Sequence, residues 1–196
     1  MVLASGMGTL LAGLLDRVEE PDFPVFIAGV ITDRDCMAYK RARARRVPVM
    51  LVHPEQCPDR ASYDLMLAAI VRDFDPDLVV TAGFMRILGP EFVSAYPGRI
   101  INSHPSLLPS FPGAHAVRDA LAHGVKVTGT TVHLIDSGVD TGPVLAQEAV
   151  QVHIGDTEET LHGRIKIIER RLLPEVVAAV ATRGYTLDGR KAVIGR

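Results

Sequence analysis

The chain opens with Met1-Val2-Leu3-Ala4-Ser5-Gly6-Met7-Gly8-Thr9-Leu10, where a short apolar run, a pair of glycines and the start of a helical pattern follow one another directly. The apolar run predicts a buried strand, and the glycines predict a tight turn into a helix. Along the rest of the chain, short apolar runs alternate with segments of helical period. That alternation is typical of a largely parallel sheet covered on both faces. The predicted fold is therefore α/β and Rossmann-like, with a mostly parallel twisted sheet.

The same patterns predict where the individual elements lie. Strands are predicted at Met1–Ala4, Val25–Thr32, Val47–Val52, Leu78–Ala82, Ile100–Asn102, Thr128–Ile135 and Val144–Val150. Helices are predicted at Leu10–Val18, Met37–Arg46, Ser62–Phe74, Pro90–Ser94 and Ala116–His123. The segment from Asn102 to Gly113, rich in proline and serine, is predicted to be a loop at the end of a strand, where open α/β sheets bind ligands.

A last helix is predicted from a capping pattern and a helical repeat. Asp156 or Thr157 can cap its first turn while Glu159 reaches back. Apolar residues then repeat at helical spacing at Leu161, Ile165, Ile168 and Leu172. Pro174 is predicted to kink or interrupt this helix before Val176–Val180 continue the apolar stripe.

Composition indicates an ordinary soluble globular protein. Of the 196 residues, 47% are hydrophobic and 22% are charged, and the formal net charge is −2. A chain of that charge without a basic face is not expected to bind nucleic acid. No apolar run reaches the roughly 18 residues of a membrane span, so no membrane partner is expected. A chain of this length can bury one core, which predicts a single domain over residues 1–196.

The two cysteines, Cys36 and Cys57, show neither CxxC nor Cys/His ligand spacing. The sequence therefore indicates neither a disulfide framework nor a zinc site. We expect no metal, and a reducing cytoplasm is the expected compartment.

The first motif with chemical potential is the glycine pair in Ser5-Gly6-Met7-Gly8-Thr9. A turn of this kind can aim several backbone amides at one point, where a helix N-terminus adds positive potential, and so can hold a phosphate. It is not a Walker A loop, and Leu11 stands where GxGxxG has its third glycine. A plain strand-to-helix turn is the alternative. Asp33 or Asp35 could serve a dinucleotide ribose, or could be turn residues.

The second motif is Asn102-Ser103-His104-Pro105-Ser106-Leu107-Leu108-Pro109, followed by Phe111-Pro112-Gly113. Side chains two positions apart at a strand end point the same way. Asn102 and His104 can therefore both donate to one developing oxyanion, as acyl transfer requires. The alternative is that Asn102 caps a turn and that His104 is a structural histidine.

The third motif is Asp136-Ser137-Gly138-Val139-Asp140-Thr141-Gly142-Pro143. Asp140 could hold an imidazolium in place, although two aspartates in a turn are also ordinary turn chemistry. His133 lies just before this loop, where a supporting role is a further hypothesis. The remaining histidines are interpreted as surface or packing residues, namely His53, His115, His123, His153 and His162.

Four motifs in this order resemble the phosphoribosylglycinamide formyltransferases, a family of folate-dependent enzymes. They are Ser5-Gly6-x-Gly8-Thr9, Ala82-Gly83-Phe84-Met85-Arg86-Ile87-Leu88, Asn102-x-His104-Pro105-Ser106-Leu107-Leu108-Pro109 and Asp140-x-Gly142-Pro143. The resemblance spans nearly the whole chain and implies 10-formyltetrahydrofolate as co-substrate. The related tRNA formyltransferases and the deformylases have added domains, which are not expected within 196 residues.

The resemblance also implies roles for individual residues. It implies catalysis by Asn102, His104 and Asp140. Substrate binding is implied for Gly8, Thr9, Leu10, Lys166, Ile167, Ile168 and Glu169. Folate binding is implied for Arg60, Met85, Arg86, Ile87, Leu88, Asn102, Asp136, Val139 and Asp140. Residues 1–97 are then the phosphate-binding half, and residues 98–196 the catalytic and folate-binding half. Leu10 departs from the family pattern, in which asparagine is common at that position.

The function implied is transfer of the formyl group of 10-formyltetrahydrofolate to the amine of 5-phosphoribosylglycinamide, in purine biosynthesis. The amine proton would reach the folate nitrogen through His104 or through a water held by Asp140, and the sequence leaves both routes open. The alternatives are a formyltetrahydrofolate hydrolase, a nicotinamide-dependent oxidoreductase and a non-catalytic sensor. The expected assembly is a monomer or a homodimer.

Overall fold

The computed structural model describes residues 1–196. The chain forms two compact units, Met1–Ile101 and Asn102–Arg196. No helix combines the length and the apolar character that crossing a membrane requires.

The first unit is built on four short parallel strands. They are β1 (Val2–Ala4), β2 (Val30–Thr32), β3 (Val49–Leu51) and β4 (Val79–Thr81), in the order β3-β2-β1-β4. Every residue of β1, β2 and β4 is buried, as expected for parallel strands covered by helices. Because β2 and β4 flank β1, the strand order reverses at β1. Ligands of open α/β sheets bind at such a point, beyond the carboxyl ends of the strands.

Helices of the first unit follow the strands in alternation. They are α1 (Thr9–Val18), α2 (Met37–Ala44), α3 (Arg60–Asp73) and α4 (Pro90–Ala95), with a short 3-10 turn at Pro54–Gln56. The buried face of α1 consists of leucines at helical spacing, including Leu11, Leu14 and Leu15. At the start of α3, the Asp59 carboxylate accepts a hydrogen bond from the Ser62 amide at 2.8 Å.

The second unit contains a mixed sheet and two helices. Its elements are β5 (Ile100–His104), which starts at the end of the first unit, then α5 (Ala116–His123), β6 (Val127–Leu134), β7 (Val144–Gln151), α6 (Glu158–Arg183), β8 (Tyr185–Asp188) and β9 (Lys191–Ile194). β6 and β7 pair antiparallel, β7 and β9 pair parallel, and β8 and β9 form a hairpin. One core cluster joins Val117 of α5, Val150 of β7 and two residues of α6, Leu161 and Ile165. The predicted α/β class, with a mostly parallel sheet flanked by helices, is confirmed.

Three strand predictions were wrong in extent, and the third strand, predicted at Val47–Val52, covers only Val49–Leu51. The second strand was predicted from Val25 but begins at Val30, because pairing with β1 starts there, opposite Val2. The fifth strand was predicted to end at Asn102 but continues to His104. The predicted loop is therefore shorter, and both polar candidates lie on regular strand backbone.

The last helix differs from its prediction at the cap, and it does not show the interruption that was one of the two outcomes predicted for Pro174. Thr157 caps α6, and Thr160, rather than Glu159, completes the capping box. Pro174 does not interrupt the helix, which runs from Glu158 to Arg183. Proline removes a single backbone donor, and the buried residues on both sides of it keep the two halves of the helix in one core. The hairpin of β8 and β9 was not predicted.

Candidate active site

Strand β5 positions two polar side chains on one of its faces. Asn102 and His104 are two residues apart on continuous strand, so their side chains project to the same side. Ser103 between them projects to the other side, where its hydroxyl donates to the Glu169 carboxylate at 2.8 Å. The strand therefore separates a face bearing an amide and an imidazole from a face bonded to α6.

His104 lies between two hydrogen-bond acceptors. Its Nε2 is 2.8 Å from the carbonyl oxygen of Phe111, and its Nδ1 is 3.4 Å from a carboxylate oxygen of Asp140. A carbonyl and an ionised carboxylate can only accept. The two neighbours therefore fix the orientation of the ring by accepting from it on both edges.

The Asp140 carboxylate is held by its own loop and by the proline-rich loop. Its Oδ2 accepts a hydrogen bond from the Gly113 amide at 2.7 Å. Asp140 itself has φ 53°, a left-handed conformation that costs a non-glycine residue energy. Gly142 packs so closely that an added Cβ would lie 1.8 Å from the carbonyl oxygen of Leu134. The loop is therefore fixed by backbone contacts to the end of β6.

His133 on β6 orients Asn102 and lies beside Asp140. Its Nδ1 is 2.8 Å from the Leu134 carbonyl oxygen, which can only accept, so Nδ1 carries the proton. Burial lowers the pKa of His133 and keeps the ring neutral. Nε2 therefore accepts from the Asn102 amide nitrogen at 3.1 Å, which fixes the orientation of that amide. The same Nε2 lies 3.6 Å from Asp140.

These contacts bring the three residues of the predicted catalytic set together: His104 faces Asp140 directly, and His133, for which the sequence suggested only a supporting role, orients Asn102 beside them. Sequence reasoning missed the Phe111 carbonyl and the Gly113 amide, which hold His104 and Asp140. The sequence signal for these two contacts was Phe111-Pro112-Gly113, which is typical of a turn. In the structure Phe111 adopts φ 53° and Gly113 adopts φ 91°.

Side chains of β6 and β7 hold the proline-rich loop. The Thr131 hydroxyl donates to the Ser106 carbonyl at 2.7 Å and accepts from the Leu108 amide at 3.0 Å. Gln147 donates to the Leu108 carbonyl at 2.9 Å. The loop is thus tied down by buried hydrogen bonds, which limits the positions available to the Phe111 carbonyl.

In the first unit, the glycine loop ends at the N-terminus of α1. Gly6 and Gly8 have φ of 70° and 62°, and no side chain caps the helix at Gly8. An added Cβ at Gly8 would lie 2.7 Å from the Cα of Ala38, so only glycine fits. Leu10 is buried, so the backbone amide is the part of this residue that suits an anion.

Asp33 is not available to a ribose. Its carboxylate is fully buried and accepts from Ser5, Arg34 and Arg86. The hypothesis that Asp33 binds a dinucleotide is therefore wrong, because no oxygen of this side chain faces solvent.

The segment of the implied folate site in the first unit exposes apolar surface. Met85 is 70% exposed and Ile87 60% exposed, whereas Leu88 is buried. Arg60 donates to the Ile87 carbonyl and so touches this segment. In the second unit, Val139 is half exposed, and the Asp136 carboxylate accepts from the Gly138 amide at 3.0 Å.

The four implied substrate residues on α6 do not share one face. Consecutive helical residues point about 100° apart. Ile168 packs on the core cluster, whereas Ile167 is exposed. Glu169 is buried, and burial raises its pKa. The hydrogen bonds from Ser103 and Thr130 lower the pKa, but by less than burial raises it. Lys166 is therefore the charged residue of this stretch that can reach a ligand, while Glu169 bonds to Ser103 inside the protein.

Comparison with known proteins agrees with this geometry. The formyl transferase family model matches residues 1–177. A curated phosphoribosylglycinamide formyltransferase of Mycobacterium tuberculosis is 55% identical over 196 residues, which is all of this chain and 91% of that protein. The corresponding protein of Bacillus subtilis is 37% identical, over 97% of both chains.

Among solved structures, glycinamide ribonucleotide transformylase 1 from Symbiobacterium toebii superposes with a TM-score of 0.97 at 43% identity. That match covers all of this chain and 92% of the other. Family model, curated relatives and solved structure agree over most of the sequence, and the chain belongs to the formyl transferase family.

Proposed function

We propose that this protein transfers the formyl group of 10-formyltetrahydrofolate to the amine of 5-phosphoribosylglycinamide. The products are formylglycinamide ribonucleotide and tetrahydrofolate, in purine biosynthesis leading to IMP. The observation that supports it best is His104, held between the Phe111 carbonyl and the Asp140 carboxylate on the strand that presents Asn102. The names of the relatives at 55% and 37% identity support the same acceptor and the same transferred group.

In the proposed reaction, His104 and Asn102 stabilise negative charge. The amine lone pair forms a bond to the formyl carbon, and the carbonyl electrons move onto oxygen. The Asn102 amide donates to that oxygen, and His104 donates to it through Nε2 when that nitrogen exchanges the Phe111 carbonyl for the substrate oxygen, while Nδ1 stays on Asp140. When the bond from carbon to the folate nitrogen breaks, the carbonyl reforms, and the amine has lost one proton while the folate nitrogen has gained one.

Asp140 keeps the imidazolium charged and oriented. Its carboxylate is partly buried, so its attraction for His104 is screened less than on an open surface. The Gly113 amide bonded to Asp140 fixes the carboxylate at a set position. Because the Asp140 carboxylate and the Gly113 amide are already in position, they need little rearrangement as the negative charge develops.

Binding residues are assigned by their place in the fold and by family resemblance. In the first unit, the backbone amides of Gly8, Thr9 and Leu10 bind the phosphate at the start of α1. Family resemblance assigns the stretch from Lys166 to Glu169, with Ile167 and Ile168, to the rest of the nucleotide. Lys166 contacts it, whereas the buried Glu169 supports β5 through Ser103.

Folate contacts are proposed in both units. In the first unit, exposed Met85 and Ile87 suit the flat pterin ring, flanked by Leu88, Arg86 and Arg60. In the second unit, family resemblance assigns folate contacts to Asn102, Asp136, Val139 and Asp140. The protein acts in the cytoplasm as a monomer or a homodimer, with residues 1–97 binding phosphate and residues 98–196 supplying the chemistry.

The decisive experiment is a spectrophotometric assay of folate deformylation with and without the glycinamide acceptor. A transferase releases tetrahydrofolate only when the acceptor is present. Release at the same rate without acceptor would identify a hydrolase and contradict the proposal. The oxidoreductase alternative is disfavoured, because Leu11 replaces the third glycine and is fully buried in the helix interface.

A further inference from the structure

A buried carboxylate in the first unit accepts hydrogen bonds from three different segments. Asp33 Oδ1 accepts from the Ser5 hydroxyl at 2.7 Å, and Oδ2 accepts from Arg86 Nε at 3.0 Å and from Arg34 Nη2 at 2.8 Å. Arg34 Nε adds a further contact to Oδ1 at 3.1 Å. Charged hydrogen bonds of this kind are the strong ones in proteins.

Strand register explains why these residues meet. Ala4 of β1 pairs with Thr32 of β2, so the next residues, Ser5 and Asp33, leave the sheet at the same level. On the other side of β1, the Ser5 amide donates to the Gly83 carbonyl at 3.1 Å, just beyond β4. The carboxyl ends of three adjacent strands therefore meet at Ser5.

The Ser5 side chain links Asp33 to the segment after β4. Its hydroxyl donates to Asp33 and accepts from the Met85 amide at 3.1 Å. Arg86, the next residue, bonds Asp33 directly. One carboxylate thus fixes the first residue of the glycine loop and two residues of the Met85–Leu88 segment.

Asp33 cannot act on a ligand directly, because its side chain has no exposed area. Burial raises its pKa, but the hydrogen bonds from Arg34, Ser5 and Arg86 outweigh burial and bring the pKa to about 2. The group is therefore a carboxylate at neutral pH. Whatever it contributes to function reaches the ligands through Ser5 and Arg86.

We propose that Asp33 is a positioning residue that sets the glycine loop and the Met85–Leu88 segment in one arrangement, so that the nucleotide phosphate and the folate are each bound by a preformed surface. This inference rests on the proposed function, which assigns those two ligands to the two segments. It adds a residue outside the catalytic and binding sets, and it assigns binding rather than turnover to that residue.

The kinetic test uses Asp33→Asn, which keeps the shape and removes the charge. The asparagine side chain has one acceptor oxygen instead of two, so it cannot accept from Ser5 on one oxygen and from Arg86 on the other. Both segments then loosen, and KM for the nucleotide and KM for the folate should each rise about tenfold, with kcat changed less than about threefold. With an acceptor that lacks the phosphate, the glycine loop has nothing to bind, and the variant should show no rise in acceptor KM. A merely unstable enzyme would instead lose active fraction, lowering apparent kcat at unchanged KM.

Two further variants serve as controls. Ser5→Ala tests the same contact while keeping the buried charge, and Asp16→Asn tests whether removing any carboxylate has the same effect. Ser5→Ala breaks the link between Asp33 and the Met85 amide without removing the buried charge, and should raise the same two KM values. Because both changes act through one contact, the double variant should show less than the sum of the two effects. Asp16→Asn removes an exposed carboxylate paired with Arg45 at 2.8 Å and should leave both KM values unchanged.

Hydrogen exchange of the ligand-free protein gives a readout that needs no activity. In Asp33→Asn, amides of residues 5–9 and 83–88 should exchange faster, while those of residues 127–151 should not. If the wild type is an acceptor-dependent transferase but Asp33→Asn has unchanged KM values and unchanged exchange, the positioning role is overturned. Absence of acceptor-dependent transfer in the wild type would refute the proposed function instead, and the exchange result would still decide the role of Asp33.

Discussion

The Asp140 carboxylate lies 3.4 Å from Nδ1 of His104, while the opposite ring nitrogen contacts the Phe111 carbonyl at 2.8 Å. Two acceptors on opposite edges hold the imidazole, and the Asp140 carboxylate offers a counter-charge to it. The arrangement suits a group that must offer a positive donor to a developing oxyanion. A histidine on the protein surface would instead form its hydrogen bonds with water.

Asp140→Asn tests the charge of this pair. The asparagine oxygen can still accept from the Gly113 amide, so the loop should keep its shape. His104 loses its counter-charge, and kcat should fall about a hundredfold or more. Asp119→Asn, on the exposed side of α5, is the matched control and should keep normal turnover. Near-normal kcat in a folded Asp140→Asn protein would refute the role assigned to Asp140.

His133 should act through Asn102. Replacing it with phenylalanine keeps the ring volume but removes the acceptor that orients the Asn102 amide. We expect kcat to fall about tenfold, and Asn102→Ala to cost about a hundredfold. In the double variant, removing His133 should add little, because the residue it orients is gone. Additive losses, measured as kcat of all four proteins, would show that His133 acts independently.

The buried Glu169 should make stability depend on pH. Burial raises its pKa above the unfolded value of 4.5, so the folded state binds this proton more tightly. The resulting stability is complete below pH 4.5 and is lost as pH rises through the folded pKa. Glu169→Gln removes that dependence. Its Tm relative to wild type should therefore be higher at pH 8 than at pH 4, and an equal Tm difference at both pH values would contradict the assignment.

Two glycines should respond oppositely to alanine. Gly163 lies inside α6, and no atom is within 4 Å of an added Cβ, so Gly163→Ala should stabilise the protein by about 1 kcal/mol at unchanged kcat. At Gly142, the Cβ would lie 1.8 Å from a backbone oxygen and would displace the Asp140 loop. Gly142→Ala should therefore lower kcat by on the order of a hundredfold. Denaturant unfolding and turnover of both variants provide the check.

The sequence predicted those parts of the site that depend on strand periodicity. Asn102 and His104 share a face because side chains alternate along a strand, a rule that needs no knowledge of the neighbours. The contacts of His133 could not be predicted in this way, because they depend on the pairing of β6 and on the path of the Asp140 loop. Phe111 contributes a carbonyl, whose direction follows from a backbone angle and not from residue type.

Errors in the fold prediction have similar causes. Val25 to Gly29 have apolar, strand-like character, but a strand exists only where a partner pairs with it, and that begins at Val30. The hairpin of β8 and β9 was missed even though Asp188-Gly189 is a known turn signal, with Gly189 at φ 58°. Short strands near a chain end give too few residues for a periodic pattern to stand out.

The central claim is that His104 donates to the oxyanion during acceptor-dependent formyl transfer. Its most direct test is the turnover of His104→Ala, with saturating folate and glycinamide ribonucleotide and with folding checked by circular dichroism. We predict a loss of kcat of about a hundredfold or more. A folded His104→Ala protein that transfers formyl groups at close to the wild-type rate would contradict the account.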